Sequence, residues 1–422
     1  MFDPDKMRTF AETVVDDLTS AGYQALWAGG CVRDQKRQVS PKDYDIATNA
    51  TPDQVRTVFG HKHTIAIGEA FGVITVIGSK ASGNIEVATF RADASYSDGR
   101  RPDSVRFTDA KEDALRRDFT INGMFFDPIN QQYIDFVNGE ADIEAKLIRA
   151  IGDPNTRIEE DRLRMLRAIR FASTFDFTIE AATLAAVQAN ATKIGAVSGE
   201  RILVELSLIL KNKHRKRGML LLHQSGLLQH IIPGITAVGT DSESESWTKL
   251  LDTIHQLTKS PLEASLALIW TLIGERSWTS ANRKELELNQ RNMKLSNDSI
   301  KTINWIITSL PKILTASTEF WPEIQEILID PRIDCLMDAA LAVADSEDQQ
   351  DHIRFCQDML DQPIEKLNPP PLLNGNIILE RQLATGKEIG RLLKIVRDAQ
   401  LLGEITTTSE AISHIQSIDR TQ

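Results

Sequence analysis

The sequence predicts an α+β protein: an N-terminal α/β head followed by an elongated, all-helical neck, body and tail. Two observations lead to this prediction. From about residue 23 to residue 136, short apolar runs with strand character alternate with helical segments. After about residue 143, strand signals nearly vanish and apolar residues recur with helical periodicity. The change near residue 140 therefore marks the predicted end of the head.

The predicted head begins with an amphipathic helix over residues 5–21. A second helix is expected to begin at Thr51, where the sequence TPDQV offers a capping side chain followed by proline. The turn-rich segment 96–102 is expected to be a mobile loop. Five strands are predicted, at residues 23–28, 43–46, 71–78, 85–90 and 132–136.

The remainder of the chain reads as helices joined by polar breaks. Residues 236–247 are predicted to form a surface loop, because they are rich in serine and glutamate. Helices are predicted over residues 161–172, 200–210 and 219–228. The predicted domains are the head (1–140), a helical neck (141–212), a helical body (213–290) and a helical tail (291–422).

Bulk properties narrow the class of protein. With 422 residues, two to four domains are expected. A net charge of −11 argues against indiscriminate nucleic-acid binding, although it leaves room for a local basic face. The three cysteines are sparse and lack metal-site spacing, which favours a reducing, cytoplasmic environment. No apolar run is long enough to cross a bilayer.

Two features near the N-terminus point to phosphate chemistry. Gly29 and Gly30 follow an apolar strand, and glycine lets a backbone approach a triphosphate closely. Asp43 and Asp45 are two residues apart, so an extended strand would direct both carboxylates to one side. Paired carboxylates suit Mg²⁺, which predicts nucleotidyl transfer. Glu86 is the candidate third ligand, with an ion pair at a sheet edge as the alternative.

Arginines flank these features along the chain. Arg33 follows the glycine pair at a predicted helix start, where it would add a charge-assisted contact to phosphate. Arg116 and Arg117, in the string RRDFTIN, are candidates for contacts to phosphate or sugar. In the same string, Asp118 would orient an arginine or a ribose hydroxyl, and Asn122 would bond to the sugar.

A third group of polar residues lies in the predicted helix 161–172. Asp161 and Arg164 are three residues apart and would be neighbours on its surface, either as a plain ion pair or as a base-reading pair. A carboxylate accepts from an exocyclic amino group and a guanidinium donates to ring acceptors. Such a pair would accept cytosine and adenine, which carry the amino group, and would reject uracil and guanine.

The strings GG-x-VRD…PKDYDIAT, RRDFTIN and E-D-x-x-R (from Glu160) resemble the class II tRNA nucleotidyltransferase and bacterial poly(A) polymerase family, whose head is DNA-polymerase-β-like. The resemblance implies CCA addition to tRNA from CTP and ATP with Mg²⁺. It also implies that Asp161 and Arg164 act as a protein template and that Arg167 and Arg170 contact the nucleotide. An ideal helix would place Arg170 about 180° from Asp161, which favours Arg167 of the two.

Narrower functions remain open within this family, namely a poly(A) polymerase or a partial enzyme that adds only A or only CC. The string at 96–102 resembles the CCA-adding branch. A noncatalytic RNA-binding module is the alternative of another class, and the presence of both aspartates argues against it.

The densest basic segment, at 211–217, is either an RNA contact or a solvated helix end, with these candidates: Lys211, Lys213, Arg215, Lys216 and Arg217.

Overall fold

The computed structural model of the chain describes residues 3–68, 72–93, 105–235, 244–259, 261–275 and 280–418. Two compact units are present. The first comprises residues 1–236 with 292–294, and the second comprises residues 237–291 and 295–422. The finer division into head, neck, body and tail stays a prediction.

A seven-stranded mixed sheet forms the centre of the N-terminal part, with the strand order β3-β4-β5-β2-β1-β8-β9. β2 and β5 run parallel, and the other neighbours in the sheet are antiparallel. β6 and β7 form a separate antiparallel ribbon, and β10 pairs with β11 in parallel. The strands are β1 (Ala25–Ala28), β2 (Asp45–Thr48), β3 (Thr64–Gly68), β4 (Val73–Val76), β5 (Ile85–Thr89), β6 (Arg91–Asp93), β7 (Val105–Phe107), β8 (Phe125–Asp127), β9 (Gln132–Ile134), β10 (Leu147–Ile148) and β11 (Thr178–Ile179).

Helices surround this sheet and continue beyond it in the first unit. The predicted cap at Thr51 is confirmed, because its hydroxyl accepts from the backbone of Gln54 while the Gln54 side chain accepts from the backbone of Thr51. The helices of the first unit are α1 (Pro4–Ser20), α2 (Gly30–Lys36), α3 (Pro52–Phe59), α4 (Ala110–Leu115), α5 (Gly139–Glu144), α6 (Pro154–Glu160), α7 (Arg164–Phe175), α8 (Ala181–Asn190), α9 (Gly199–Leu210), α10 (Arg215–Gln224) and α11 (Leu228–Ile231).

The described part of the second unit contains helices and no strand. At its C-terminal end, an apolar cluster that includes Leu373, Ile378, Val396 and Ile415 forms a small core. The helices are α12 (Glu245–Gln256), α13 (Pro261–Glu275), α14 (Ser280–Asn292), α15 (Asn297–Ile313), α16 (Trp321–Leu328), α17 (Ile333–Val343), α18 (Glu347–Leu360), α19 (Ile364–Leu367), α20 (Gly375–Glu380), α21 (Lys387–Leu401) and α22 (Thr408–Ser417).

The α/β head and the helical remainder are confirmed as the fold class. Four of the five predicted strands are present with shorter bounds, and the strand predicted at 43–46 is shifted to Asp45–Thr48; β3, β6, β7, β8 and the two-residue β10 and β11 were not predicted. The helix predicted over residues 161–172 begins only at Arg164. The loop 96–102 and residues 236–243 lie outside the described residues. The predicted loop 236–247 is wrong at its end, because Glu245 begins α12 and Trp247 is buried in it.

Two predictions about the chain's environment can be compared with the fold. The three cysteines, from which a reducing environment was predicted, are free and buried. Among the described residues, no helix combines the length and the apolar character that crossing a bilayer requires. The cytoplasmic location stays a prediction.

Candidate active site

An open cleft of about 660 Å³ in the first unit brings together the residues that the sequence singled out from three separate segments. Glycines, aspartates and arginines face it from the glycine turn with the aspartate pair that follows, from the RRDFTIN string, and from α7 with the residues just before it. The lining residues are Gly29, Gly30, Arg33, Asp43, Asp45, Arg116, Arg117, Asp118, Asn122, Asp161, Arg164, Arg167, Arg170 and Phe171.

The glycine pair forms the turn between β1 and α2. Gly29 has φ 70° and ψ −122°, a conformation that residues with a side chain rarely adopt. A Cβ atom on Gly29 would lie 3.1 Å from Nη1 of Arg117, so the guanidinium packs against bare backbone. Glycine is therefore required here both by the conformation of the turn and by the arginine that covers it.

Asp43 and Asp45 both face the cleft, as the i, i+2 spacing predicts. Asp45 is the first residue of β2, and Asp43 lies in the chain that leads into it. Desolvation by the surrounding protein, together with the charges of Asp43 and Glu86, raises the pKa of Asp45 to about 6, although Arg117 opposes the rise. Because Asp45 is exposed to solvent, repulsion between the carboxylates contributes more to this rise than burial does.

Glu86 lies directly opposite Asp45, on the neighbouring parallel strand β5. β5 is an interior strand between β4 and β2, so the alternative of an ion pair at a sheet edge is wrong. Among the described residues, no group of three or more His, Cys, Asp and Glu side chains is arranged to hold a metal ion. The role of Glu86 as a third ligand stays a prediction.

Asp43 and Asp45 nevertheless fit a divalent cation. Burial and the neighbouring carboxylates raise the pKa of Asp45, and a bound cation would relieve the repulsion between those carboxylates. Mg²⁺ is commonly held by one or two carboxylates together with the phosphates of a substrate. The donor set therefore suits a cation that arrives with a nucleotide.

One buried carboxylate, that of Asp113, holds both arginines of the RRDFTIN string. Arg116 donates through Nε and Nη2 to its Oδ1 at 2.9 and 2.8 Å, and Arg117 donates through the same two atoms to its Oδ2 at 3.2 and 2.9 Å. Burial would raise the pKa of Asp113, but the charges of Arg117 and Arg116 outweigh it and keep the pKa below its ordinary value. The sequence analysis missed Asp113, although it lies three and four residues before the arginines, a spacing at which helix residues meet.

Hydrogen bonds connect Arg33 with Arg167 across the cleft. Nη1 of Arg33 donates to Oδ1 of Asn122 at 2.7 Å, and Nδ2 of Asn122 donates to Oδ1 of Asp118 at 3.0 Å. Arg167 donates through Nε and Nη2 to Oδ2 of Asp118 at 2.8 and 2.5 Å. Burial alone would raise the pKa of Asp118, but Arg167 and these hydrogen bonds lower it to about 2. Asp118 thus orients an arginine, which is one of its two predicted roles.

Asp161 and Arg164 line the same cleft, but they are not neighbours on one helix. Asp161 follows α6 with extended backbone (φ −147°, ψ 104°), and its Oδ1 accepts from the backbone of Leu163 at 3.0 Å. Its Oδ2 accepts from Nη2 of Arg201 at 2.7 Å, whereas Arg164 donates to Oε2 of Glu160 at 2.5 Å. The predicted ion pair on a helix surface is therefore wrong, because the helix is interrupted between the two residues.

This interruption also changes the position of Arg170. Because Asp161 lies outside α7, the expected half-turn separation does not apply, and both residues face the cleft. Nε of Arg170 lies 2.6 Å from Oε2 of the buried Glu205. The guanidinium carbons of Arg170 and Arg167 lie 4.0 and 5.2 Å from the ring centroid of Phe171. The sequence analysis missed Glu205, which contacts residues far away in the sequence, and Phe171, which contacts the arginines through the face of its ring.

The basic segment 211–217 is only partly available to a ligand. Arg215 is 8% exposed, and its Nε donates to the backbone carbonyl of Asn212 at 2.9 Å; RNA contact by Arg215 stays a prediction. Arg217 donates to a backbone carbonyl at 2.7 Å. Lys211 and Lys213 are exposed, and RNA contact by the lysines of this segment stays a prediction.

Comparisons with known proteins agree with this geometry. Residues 25–149 match the family model described as the poly A polymerase head domain. Residues 176–238 match the model described as a probable RNA and SrmB-binding site of polymerase A. The first match contains the glycine turn, the aspartate pair and the RRDFTIN string.

Curated and solved relatives extend the similarity over the whole chain. A CCA-adding enzyme of Pediococcus pentosaceus is 38% identical over 298 residues, which is 70% of each chain. A CCA-adding enzyme of Latilactobacillus sakei is 29% identical over 96% of each chain. The crystal structure of the Bacillus stearothermophilus CCA-adding enzyme in complex with CTP superposes with a TM-score of 0.77 at 26% identity, over 100% of this chain and 99% of that one.

The cleft, the sheet that carries it and these similarities lead to the same assignment. The sequence motifs that first indicated the family converge on one site, and the fold matches throughout the chain. The chain belongs to the class II tRNA nucleotidyltransferase and bacterial poly(A) polymerase family, and it is a nucleotidyltransferase.

Proposed function

We propose that this enzyme adds C, C and A to the 3′ end of tRNA, using CTP and ATP and releasing pyrophosphate. The observation that carries the proposal is the single cleft that gathers the aspartate pair, the arginines and both members of the Asp161–Arg164 pair. The relatives described above are CCA-adding enzymes, and one was crystallised with CTP. The partners are therefore tRNA and the two nucleotides.

In the reaction, the 3′-hydroxyl oxygen of the tRNA forms a bond to the α-phosphorus of the nucleotide, and the bond between that phosphorus and the bridging oxygen breaks. Pyrophosphate leaves with the bond's electrons, and the proton of the attacking hydroxyl is released to solvent. The turn at Gly29 and Gly30 would give the triphosphate close access to backbone N–H groups. Arg33, Arg116 and Arg117, which line the cleft, would neutralise the phosphate charge.

Asp43 and Asp45 would hold Mg²⁺, the cofactor expected for this chemistry. When bound there in a two-metal arrangement, the cations would supply charge neutralisation for the triphosphate and activate the attacking hydroxyl. The aspartates themselves would fix the position of the reacting phosphate relative to the arginines, which is the larger part of catalysis in phosphoryl transfer.

Base selection would rest on Asp161 and Arg164. A carboxylate oxygen has a second lone pair, so the bond from Arg201 leaves Asp161 able to accept from the amino group of cytosine or adenine. Arg164 donates to Glu160 and to two backbone carbonyls, and its guanidinium carries further N–H groups for ring acceptors. Uracil and guanine would leave the carboxylate facing a carbonyl, which is disfavoured.

The test is an extension assay with a tRNA transcript that ends before its CCA, resolved at single nucleotides in the presence of Mg²⁺. Two additions with CTP alone and three with CTP and ATP are expected. A long ladder with ATP alone would instead indicate a poly(A) polymerase. A single A on a CC-ended transcript, or CC alone, would indicate a partial enzyme.

Matched variants assign the chemistry to the cleft. Asp45→Asn keeps the size of the side chain and removes its charge, so extension should fall at least about 1,000-fold while tRNA binding persists. Asp53→Asn, in the first turn of α3 away from the cleft lining, is the control and should leave extension unchanged. An active Asp45→Asn enzyme would contradict the proposed role.

A further inference from the structure

Asp113 lies behind the arginines of the cleft and is anchored to the fold from the other side. Its side chain is 2% exposed, and each of its two oxygens receives a different guanidinium. Oδ1 also accepts from the backbone N–H of Arg91 at 3.2 Å, the first residue of β6. The carboxylate is thereby fixed to the backbone of one element while it holds two side chains that follow α4.

The arginines that Asp113 holds are directed towards the glycine turn. Nη1 of Arg117 donates to the backbone carbonyl of Asn122 at 3.2 Å and covers Gly29. The side chains of Arg116 and Arg117 are 22% and 19% exposed, and both contribute to the lining of the cleft. Their accessible surface is therefore available to a ligand in the cleft.

Two adjacent guanidiniums repel each other unless an anion lies between them. A single carboxylate shared by both removes this repulsion and still leaves one net positive charge for the ligand. Each arginine uses Nε and one terminal nitrogen for Asp113, a two-point contact that also fixes the plane of the guanidinium.

We propose that Asp113 is a positioning residue for the nucleoside triphosphate, and that it acts by holding Arg116 and Arg117 as one paired contact for the phosphates. This inference rests on the proposed function, because it takes a nucleotide as the ligand of the cleft. It assigns to Asp113 a part in nucleotide binding although Asp113 is not among the residues that line the cleft.

The test is the Asp113→Asn variant, in which an amide replaces one acceptor oxygen and releases one arginine. The dissociation constant for CTP, measured by calorimetry without tRNA, should rise about 10- to 100-fold. ATP should be affected equally, because the contact is to phosphate, whereas the KM for tRNA should change by less than about twofold. Asp109→Asn is the matched control: Asp109 caps the same helix α4, asparagine caps equally well, and CTP binding should not change.

A double-mutant cycle separates the proposed positioning role of Asp113 from a purely structural role. In an Arg116→Lys/Arg117→Lys background, Asp113→Asn should alter the CTP dissociation constant by less than about twofold, because the groups through which it acts have been replaced. An undiminished effect in that background would overturn the proposal, and so would unchanged CTP binding by a folded Asp113→Asn protein.

If Asp113→Asn fails to fold, Arg117→Lys tests the same contact from the other side. Lysine keeps the charge but cannot make the two-point contact, so CTP binding should weaken about tenfold, and binding within about twofold of the wild type would overturn the proposal. A wild-type enzyme that binds CTP yet extends no tRNA would contradict the proposed function alone. A wild type that does not bind CTP would overturn both.

Discussion

The hydrogen-bonded pair between Asp118 and Arg167 should make one of the largest single contributions to the stability of the cleft, and Asp118→Asn removes its charge without changing its size. The folded-state pKa of about 2, set against an ordinary value of about 3.9, corresponds to about 2.6 kcal/mol at neutral pH. Asp118 is 9% exposed, so little of this is lost to solvent screening. We expect the variant to be less stable by about 2–3 kcal/mol.

The sign of the pH dependence follows from the direction of the shift. A carboxylate whose pKa is lowered by folding stabilises the protein above its unfolded pKa, and this contribution disappears as the pH falls through the folded value. The difference between the wild type and Asp118→Asn should therefore be constant from pH 5 to 8. At pH 3 it should shrink to about half.

Hydrogen exchange resolved to peptides is the suitable assay, since it reports local opening in a chain with two units. Amides in residues 116–122 and 164–175 should exchange roughly 30- to 150-fold faster in the variant at pH 7, after correction for intrinsic rates. The control is Asp176→Asn, which removes an exposed ion pair with Arg217 at 3.3 Å and should cost less than about 0.5 kcal/mol. A change below about threefold for Asp118→Asn, or a difference that persists undiminished at pH 3, would refute the reasoning.

Three further predictions follow from the cleft. Gly29→Ala should lower the melting temperature and weaken CTP binding about tenfold. Gly22 also has a positive φ, but no atom lies within 4 Å of a Cβ added there, so Gly22→Ala should only lower the melting temperature. Equal CTP binding by the two variants would contradict the steric argument. The pKa of Asp45 is raised to about 6, so protonation of Asp45 should weaken the binding of Mn²⁺ by about tenfold for each pH unit below that value. Mn²⁺ serves here as a spectroscopic substitute for Mg²⁺. Equal Mn²⁺ affinity at pH 5 and pH 7 would contradict the prediction. Arg201→Ala should free the Asp161 carboxylate and raise the misincorporation of UTP relative to CTP about tenfold in single-turnover assays. Unchanged selectivity would show that the ion pair between Arg201 and Asp161 does not orient the base-reading group.

The parts of the site that depend on local geometry could be predicted from the sequence. Asp43 and Asp45 face one cleft because their spacing matches the period of an extended chain. Gly29 lies at a turn because its conformation excludes other residues. Both properties are determined by a few consecutive residues, so a sequence pattern contains them.

Contacts between distant segments were not predictable in the same way. Arg201 reaches Asp161 across forty positions in the chain, and Glu205 reaches Arg170 across thirty-five. The interruption before α7 belongs to this class, because the apolar periodicity begins only at Leu163, and the extended Asp161 before it is bonded by the distant Arg201. Asp113 is an intermediate case, since its spacing to the arginines was visible but its burial was not.

The charge of the cleft differs in sign from that of the chain that carries it. Six arginines and four aspartates line the cleft, whereas the whole chain carries a formal charge of −11. Screening limits the reach of the cleft's positive potential to roughly 8–10 Å at ordinary salt. A mononucleotide, or the 3′ end of a nucleic-acid strand, is small enough to lie within that distance. The local excess of arginines would therefore attract such a ligand into the cleft even though the chain as a whole is negatively charged.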